Sequence, residues 1–288
     1  MNSLVASVSC PINGLPARIY CRKGGAAYYL EPTSGTIFQA RMPSVGAMNA
    51  YADDEYASGV YREYAKSRDL KIATARPRLA AIKERTQGRR LLDVGCATGF
   101  FMEAAADDGF DVRGVEFSTV AISLARPDIR ARIVRGDVNT LLARETEKFD
   151  VVTAFDIIEH VQNPEQFLRD IREILKPGGV LAISSPDTDH VLRYLMRSKW
   201  PMLQPMQHTM LFSRRSIATL LERCGFADGQ VEATHKVLTM DYLADQLAAT
   251  NPGLNRAYQA LSWMVPAALK RRSLAINIGE FVAYARRA

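Results

Sequence analysis

From Arg89 onward the chain alternates short apolar runs with amphipathic ones, and this alternation limits the fold more than any other feature. The runs "RLLDVG", "DVRGVEFS", "ARIVRGD", "FDVVTAFDIIEHV" and "VLAISSPD" read as strands. Between them, "FFMEAAADDG", "TVAISLARP" and "NPEQFLRDIREILKPGG" read as helices. The last of these carries its own punctuation. Asn163 suits the N-cap, Pro164 the first helical position and Gln166 the third, a capping-box arrangement. Phe167, Leu168, Ile171, Ile174 and Leu175 recur at helical spacing, and Pro177-Gly178-Gly179 stops the run. Farther on, "SRRSIATLLERCGF" reads as a helix, and "QVEATHKVLTM" and "NIGEFVAYARR" as two last strands. Helices placed between strands require crossover connections. The expected fold is therefore α/β, a doubly wound and mostly parallel seven-stranded sheet with helices on both faces. Ligands of such sheets sit at the carboxyl ends of the strands, near the point where the strand order reverses.

The 288 residues suffice for one large core and a small additional module. Residues 1–50, rich in Gly, Pro and short apolar pieces, read as a small β-rich module. Residues 51–85, rich in Tyr and charge at helical spacing, read as a helical lid or linker, and residues 86–288 as the main domain. The connection at about residues 187–212 is long and rich in Met, Trp and Leu, so it is expected to cover a substrate pocket. No apolar run approaches the ~20 residues of a membrane span, and the first residues lack the pattern of a secretory signal. Cys10, Cys21, Cys96 and Cys224 are too scattered for a disulfide framework, which makes the cytoplasm the expected compartment. The net charge of +6 is spread along the chain, so a solvated surface is expected rather than a nucleic-acid groove.

The first strand runs into the loop Gly95-Cys96-Ala97-Thr98-Gly99. A dinucleotide fingerprint, G-x-G-x-x-G, would place its third glycine at Phe100, which cannot allow the same close helix–strand approach. The pattern present is G-x-A-x-G, with Asp93 two residues before it and Glu116 about 20 residues on, placed to hold two ribose hydroxyls. A ligand with adenosine and no pyrophosphate fits these features.

The chain here resembles the class I S-adenosylmethionine-dependent methyltransferases, with a Rossmann-like fold. The matching segments are "LLDVGCATG", "GVEFS", "RGD" at 135–137, "FDVVTAFDIIEHV" and "LKPGGVLAISSPD", with Ala97 where a glycine is more usual. The resemblance implies S-adenosylmethionine as cofactor and assigns roles residue by residue. Asp93 and the loop Gly95, Cys96, Ala97 and Gly99 would hold its amino-acid end. Glu116 would take the ribose diol, with Phe117 against the adenine. Asp137 and the Val138 backbone would meet the adenine amino group, and Phe155 the methionyl part. Singly, Asp93 and Asp137 also suit caps or turns, Glu116 a surface carboxylate, and Phe155 the core.

The N-terminal segment carries a second resemblance, to the zinc ribbon that opens many small-molecule methyltransferases of this class, C-P-x-C-G followed by C-x-x-C-G. Cys10 stands in the first ligand position, but Asn13, Glu31 and Ser34 occupy the other three. One thiolate cannot retain a structural zinc, so no metal is expected. The module would be held instead by apolar residues such as Ile19, Tyr28, Tyr29, Ile37 and Phe38. Within "MNAYADDEYASGVYREY", which resembles the lid of such enzymes, Tyr51, Tyr56, Tyr61 and Tyr64 are candidates to cover the sulfonium with aromatic faces, or to pack on the sheet.

Methyl transfer from a sulfonium is an in-line displacement in which alignment and desolvation supply much of the rate. A hydroxyl acceptor gains from a base, and His160 and His208 are the candidates, with a structural role open for either. The expected acceptor is a small molecule with apolar or aromatic surface, such as a natural product, sugar or quinone-like compound, methylated on O, N or C. A nucleic-acid methyltransferase would carry Asp or Asn followed by Pro-Pro-aromatic where this chain has "FDIIEH". A non-catalytic cofactor-binding protein is the third reading, opposed by Asp93, Gly95, Gly99 and Glu116. A monomer or homodimer is expected, without stable membrane insertion; the helix suggested by "LNRAYQALSWMVPAALKRR" fits a pocket wall or dimer contact.

Overall fold

The computed structural model describes residues 8–44, 46–48, 50, 51, 54, 67–244, 252–262 and 264–288. Four short strands come first: β1 (Val8–Ser9), β2 (Pro16–Lys23), β3 (Ala26–Leu30) and β4 (Ile37–Gln39). The main domain follows with α1 (Arg68–Arg85), β5 (Arg90–Val94), α2 (Phe100–Asp107), β6 (Asp111–Glu116), α3 (Thr119–Leu124) and β7 (Ile133–Arg135). Then come α4 (Val138–Leu142), β8 (Phe149–Phe155), α5 (Pro164–Ile174), β9 (Leu175–Pro186) and α6 (Val191–Met196). The order closes with β10 (Met210–Leu211), α7 (Arg214–Arg223), β11 (Phe226–Leu238) and β12 (Leu274–Arg287).

Seven strands form the main sheet in the order β11-β12-β9-β8-β5-β6-β7. Strands β5 to β9 run parallel, and β12 is antiparallel to both neighbours, β9 and β11. Successive residues of each strand face opposite sides of the sheet. Leu91, Val151 and Ala182 pack with Leu79 and Ile82 of α1 and Met102 of α2. Their neighbours Leu92, Val152 and Ile183 pack with Leu168 and Ile171 of α5 and Ile217 and Leu220 of α7. Strands buried on both faces read as continuous apolar runs for this reason. Each Leu, Ile or Val so buried contributes about 1.5–3 kcal/mol. Helix α5 starts with the Asn163 side chain accepting from Gln166 N at 3.0 Å and Pro164 in its first turn, but the Gln166 side chain donates to Asp170 and does not close the capping box.

Strand β9 begins at Leu175, so the Pro177-Gly178-Gly179 read as a helix stop lies within it, and two further differences bear on the site. The run "FDVVTAFDIIEHV" is a strand only as far as Phe155. Asp156 then takes φ 58°, and residues 158–160 form a 3-10 turn. A left-handed aspartate can break a strand without glycine. In the connection at 187–212, Trp200 and Leu203 are buried with Tyr28, Ile37 and Leu211, and β10 pairs with β4. Trp200 and Leu203 thus extend the core under the N-terminal sheet, while Val191, Tyr194 and Leu195 of the same connection stay exposed.

Candidate cofactor site and the wall beside it

The strand order reverses at β5, which has β6 on one side and β8 on the other, so the loop after β5 opens into the crevice expected for a ligand. The loop turns through three left-handed residues, Gly95 at φ 68°, Ala97 at φ 49° and Gly99 at φ 75°. A Cβ on Gly95 would lie 2.2 Å from Cδ1 of Ile157, and one on Gly99 would lie 2.6 Å from Cγ2 of Ile129. Both positions favour glycine by backbone conformation, and at Gly99 the branched Ile129 methyl adds a limit of space. At Ala97 the left-handed backbone explains why glycine is the more usual residue there.

Asp93 is buried, and its Oδ1 accepts from Thr153 Oγ1 at 2.7 Å. Burial pushes its carboxyl up to about 7, against the hydrogen bond from Thr153 and with the help of the Glu116 charge. Glu116 ends β6, also buried. Its Oε2 accepts from Ala97 N and its Oε1 from Ser118 N, each at 2.9 Å. Burial raises its pKa, and the backbone N–H groups of Ser118, Ala97 and Phe117 oppose the rise.

A partly open cavity of about 110 Å³ lies at this crevice. Of the residues singled out in the sequence, Asp93, Gly95, Cys96, Ala97 and Phe155 line it. Glu116 touches it only through the Ala97 N–H, while Gly99 caps α2. Asp137, Val138 and Phe117 stand apart from the cavity wall. Asp137 caps α4, with Oδ1 accepting from Thr140 N and Oγ1 at 2.8 Å each. Val138 is buried behind it, and the Phe117 side chain is exposed. Tyr56, Tyr61 and Tyr64 lie outside the described residues.

The cavity also has a charged wall that the sequence reading missed. Arg78 of α1 is buried, and its guanidinium lies 4.6 Å from the centre of the Phe155 ring. Its Nη2 is 3.7 Å from Glu280 Oε2, too far for a hydrogen bond, and Nε and Nη2 have no hydrogen-bond partner among the described residues. Asp156 accepts from Ser184 Oγ at 2.7 Å and from Lys236 Nζ at 2.9 Å. Lys236 also pairs with Glu280. The charge of Lys236 holds the Asp156 carboxyl well below the usual range despite burial. Lys71, on the same wall, is lowered to about 8 by burial and by the Lys236 charge. Asp156 left a signal, an acid at the carboxyl end of the fourth main-sheet strand. Arg78, inside a charge-rich helix, left none.

His160 and His208 lie outside the cavity lining but come together, with ring centroids 4.9 Å apart. Glu159 joins them. One possible ligand atom from each of the three residues lies within 4.8 Å of the other two. His208 is buried and places Nδ1 2.6 Å from Met202 O, whereas His160 is half-buried. Burial lowers the pKa of His160, and burial together with the His160 ring takes His208 down to about 3.

In the N-terminal module three of the four positions of the ribbon pattern are joined by hydrogen bonds. Glu31 Oε2 accepts from Asn13 Nδ2 at 2.8 Å and from Ser34 N at 2.7 Å, and Oε1 accepts from Thr33 N at 2.7 Å. Cys10 is buried beside them. Tyr28, Ile37 and Phe38 are buried as expected, and Tyr29 stacks on Phe38. Ile19, by contrast, is 51% exposed, next to a register shift between Ile19 and Cys21 that interrupts the strand alternation.

A S-adenosylmethionine-dependent methyltransferase from Archaeoglobus fulgidus, 18% identical, shares this fold over 79% of this chain and 98% of its own, with a TM-score of 0.54. The architecture is that of the class I methyltransferases, whose methyl donor is S-adenosylmethionine. Residues 62–231, more than half of the chain, match the model of the methyltransferase domain family, and the chain belongs to that family. A ubiquinone biosynthesis O-methyltransferase of Actinobacillus pleuropneumoniae serotype 7 (strain AP76) is 35% identical over 107 residues, 34% of this chain and 46% of that protein. Its namesake from Sinorhizobium medicae (strain WSM419) is 30% identical over 166 residues, 54% of this chain and 66% of that protein. The chain spans about half the length of the first of these curated relatives.

Proposed function

We propose that this chain transfers the methyl group of S-adenosylmethionine to a hydroxyl of a small acceptor with apolar or aromatic surface. The observation that carries the proposal is the left-handed turn Gly95–Gly99 between two buried carboxylates, Asp93 and Glu116, at the point where the sheet order reverses. Asp93 faces the ammonium of the bound cofactor, and Glu116, anchored by two backbone N–H groups, keeps lone pairs for the ribose diol. Arg78 supplies the cation for the carboxylate, since two of its nitrogens have no other hydrogen-bond partner among the described residues. Phe155 and Phe101, whose rings meet edge to face at 4.9 Å, close the apolar side. Phe117 and Asp137, beyond the wall of the described cavity, frame the adenine.

When bound, the cofactor supplies an electrophilic methyl on a good leaving group, so this chain's residues have to orient the acceptor and remove its proton. Preparing the acceptor hydroxyl for proton loss falls to the Glu159–His160–His208 cluster, in which His160 is the half-buried member. The O-methyltransferase names of the curated relatives favour oxygen as acceptor atom. A monomer or homodimer in the cytoplasm accords with four free cysteines and with the lack, among the described residues, of a helix long and apolar enough to cross a membrane. Nucleic acid is disfavoured, because Asp156 is followed by Ile157-Ile158. Calorimetric titration with S-adenosylmethionine and its demethylated product, then a screen of hydroxylated acceptors with mass detection, tests the proposal. No binding of either ligand would overturn it, and methylation of amines alone would overturn the choice of oxygen.

A further inference from the structure

The cluster beside Asp156 has the composition and tautomeric control of a metal centre. Glu159 is buried, and its Oε2 has no hydrogen-bond partner among the described residues. The Ser185 hydroxyl near it is equally unpartnered. Burial raises the Glu159 pKa, and a buried carboxyl oxygen left this way costs about 1–3 kcal/mol, which a cation against it would offset. His208 Nδ1 is engaged by the Met202 carbonyl at 2.6 Å. As the donor in that bond, Nδ1 leaves Nε2 as a bare lone pair, which is how the outer partner of a metal-bound histidine fixes its tautomer. Two imidazoles and one carboxylate are a ligand set of open zinc and other divalent transition-metal sites.

We propose that Glu159, His160 and His208 bind a divalent transition-metal cation, zinc in the first instance. Ligand bonds of about 2.0–2.2 Å require donors roughly 3.4 Å apart. The present spread of up to 4.8 Å has to contract for an ion to be held by all three. Three protein ligands leave a fourth tetrahedral position for water or an acceptor oxygen. This departs from the expectation, drawn from the N-terminal ribbon pattern alone, that the chain holds no metal.

The role of the cation rests on the methyl-transfer proposal, although its binding does not. An acceptor hydroxyl coordinated at the fourth position gives its proton to water. The oxygen lone pair then forms the new C–O bond, and the electron pair of the breaking S–CH3 bond stays on sulfur as a neutral thioether. The cation lowers the pKa of the hydroxyl, as it does for bound water.

The test uses the full chain, stripped with chelator and titrated with Co2+ followed by visible absorption, and with Zn2+ followed by dialysis and elemental analysis. One ion per chain is expected. Glu159→Gln and His208→Ala should each weaken cobalt binding by about 10–100-fold or more, by analogy with the losses seen even for outer-shell changes. Cys10→Ser should leave it unchanged. Titration with S-adenosylmethionine in each variant reports folding, and His160→Gln replaces His208→Ala if that variant fails to fold. No stoichiometric uptake, equal uptake by the cluster variants, or loss in Cys10→Ser would each overturn the metal site. Cobalt uptake by a chain that does not bind S-adenosylmethionine would instead overturn the methyl-transfer proposal and leave the metal site standing.

Discussion

The backbone N–H of Ala97 donates to the Glu116 carboxylate at 2.9 Å, tying the turn after β5 to the end of β6. One carboxylate thus shapes the loop and, in the proposed cofactor site, takes the ribose. Glu116→Ala removes both effects, and calorimetric titration should show cofactor binding weakened by about 1.5–3 kcal/mol, as for hydrogen bonds to charged groups. Unchanged affinity would mean that the carboxylate does not reach the ribose.

Asp93 gives the cofactor site a pH dependence of defined sign. Burial holds its carboxyl up at about 7 in the ligand-free protein, so it is largely neutral in mildly acidic solution. A cationic ammonium binds the ionised form better, and the proton must leave on binding. Cofactor affinity should therefore fall by about tenfold per pH unit below the Asp93 pKa and level off above it. Proton release, measured by calorimetry in buffers of different ionisation enthalpy, should appear below that pKa. In Asp93→Asn the dependence should vanish along with most of the affinity. A flat profile in the native protein would remove Asp93 from the ammonium.

Arg78 is the third contact to test. Its planar fork suits a carboxylate in a way that a lysine ammonium does not. Arg78→Lys should weaken S-adenosylmethionine binding by about 1–2 kcal/mol and Arg78→Ala by about 1.5–3 kcal/mol. Decarboxylated S-adenosylmethionine should bind the native protein and Arg78→Ala with similar affinity, because it lacks the group that Arg78 holds. Equal losses for both ligands would show that Arg78 serves only to pack against Phe155.

Much of this was legible in the sequence because it is local. The strand alternation, the Asn163 cap and the glycines of the β5 loop are set by neighbours within a few residues. Arg78, Lys236 and Glu280 were not legible, since they belong to α1, β11 and β12 and meet only across the folded sheet. The pairing of β4 with β10 joins residues 37 and 211 and leaves no periodic trace in either segment. Asp137 shows the converse: its position fitted both a cap and an adenine contact, and the geometry on display is the cap.

The N-terminal module should respond to acid through Glu31. Burial opposes ionisation there, but hydrogen bonds from Ser34, Asn13 and the Thr33 N–H outweigh it and bring the carboxyl down to about 2. A depressed folded pKa contributes stability that is complete above the unfolded carboxyl value and is lost as pH falls toward the folded one. Hydrogen exchange in residues 8–39 should accelerate selectively between about pH 4.5 and 2. Glu31→Ala should orphan the Ser34 and Thr33 N–H groups and produce the same loosening at neutral pH, at a cost on the order of 1–3 kcal/mol. Protection that is insensitive to both changes would mean that the apolar residues alone hold the module.

His160 separates binding from chemistry. It does not line the cofactor cavity, so His160→Ala should leave S-adenosylmethionine affinity within about twofold of native. If the cluster prepares the acceptor hydroxyl, turnover should fall by roughly 10²–10⁴-fold. The loss should sit in kcat, because the acceptor still docks against the apolar side of the pocket. An acceptor offered as a preformed phenolate of low pKa should recover part of the lost rate, a response that a merely structural histidine would not give. A variant that folds, binds cofactor and turns over normally would return His160 to structure, where its contact with the His208 ring at 4.9 Å already gives it a place.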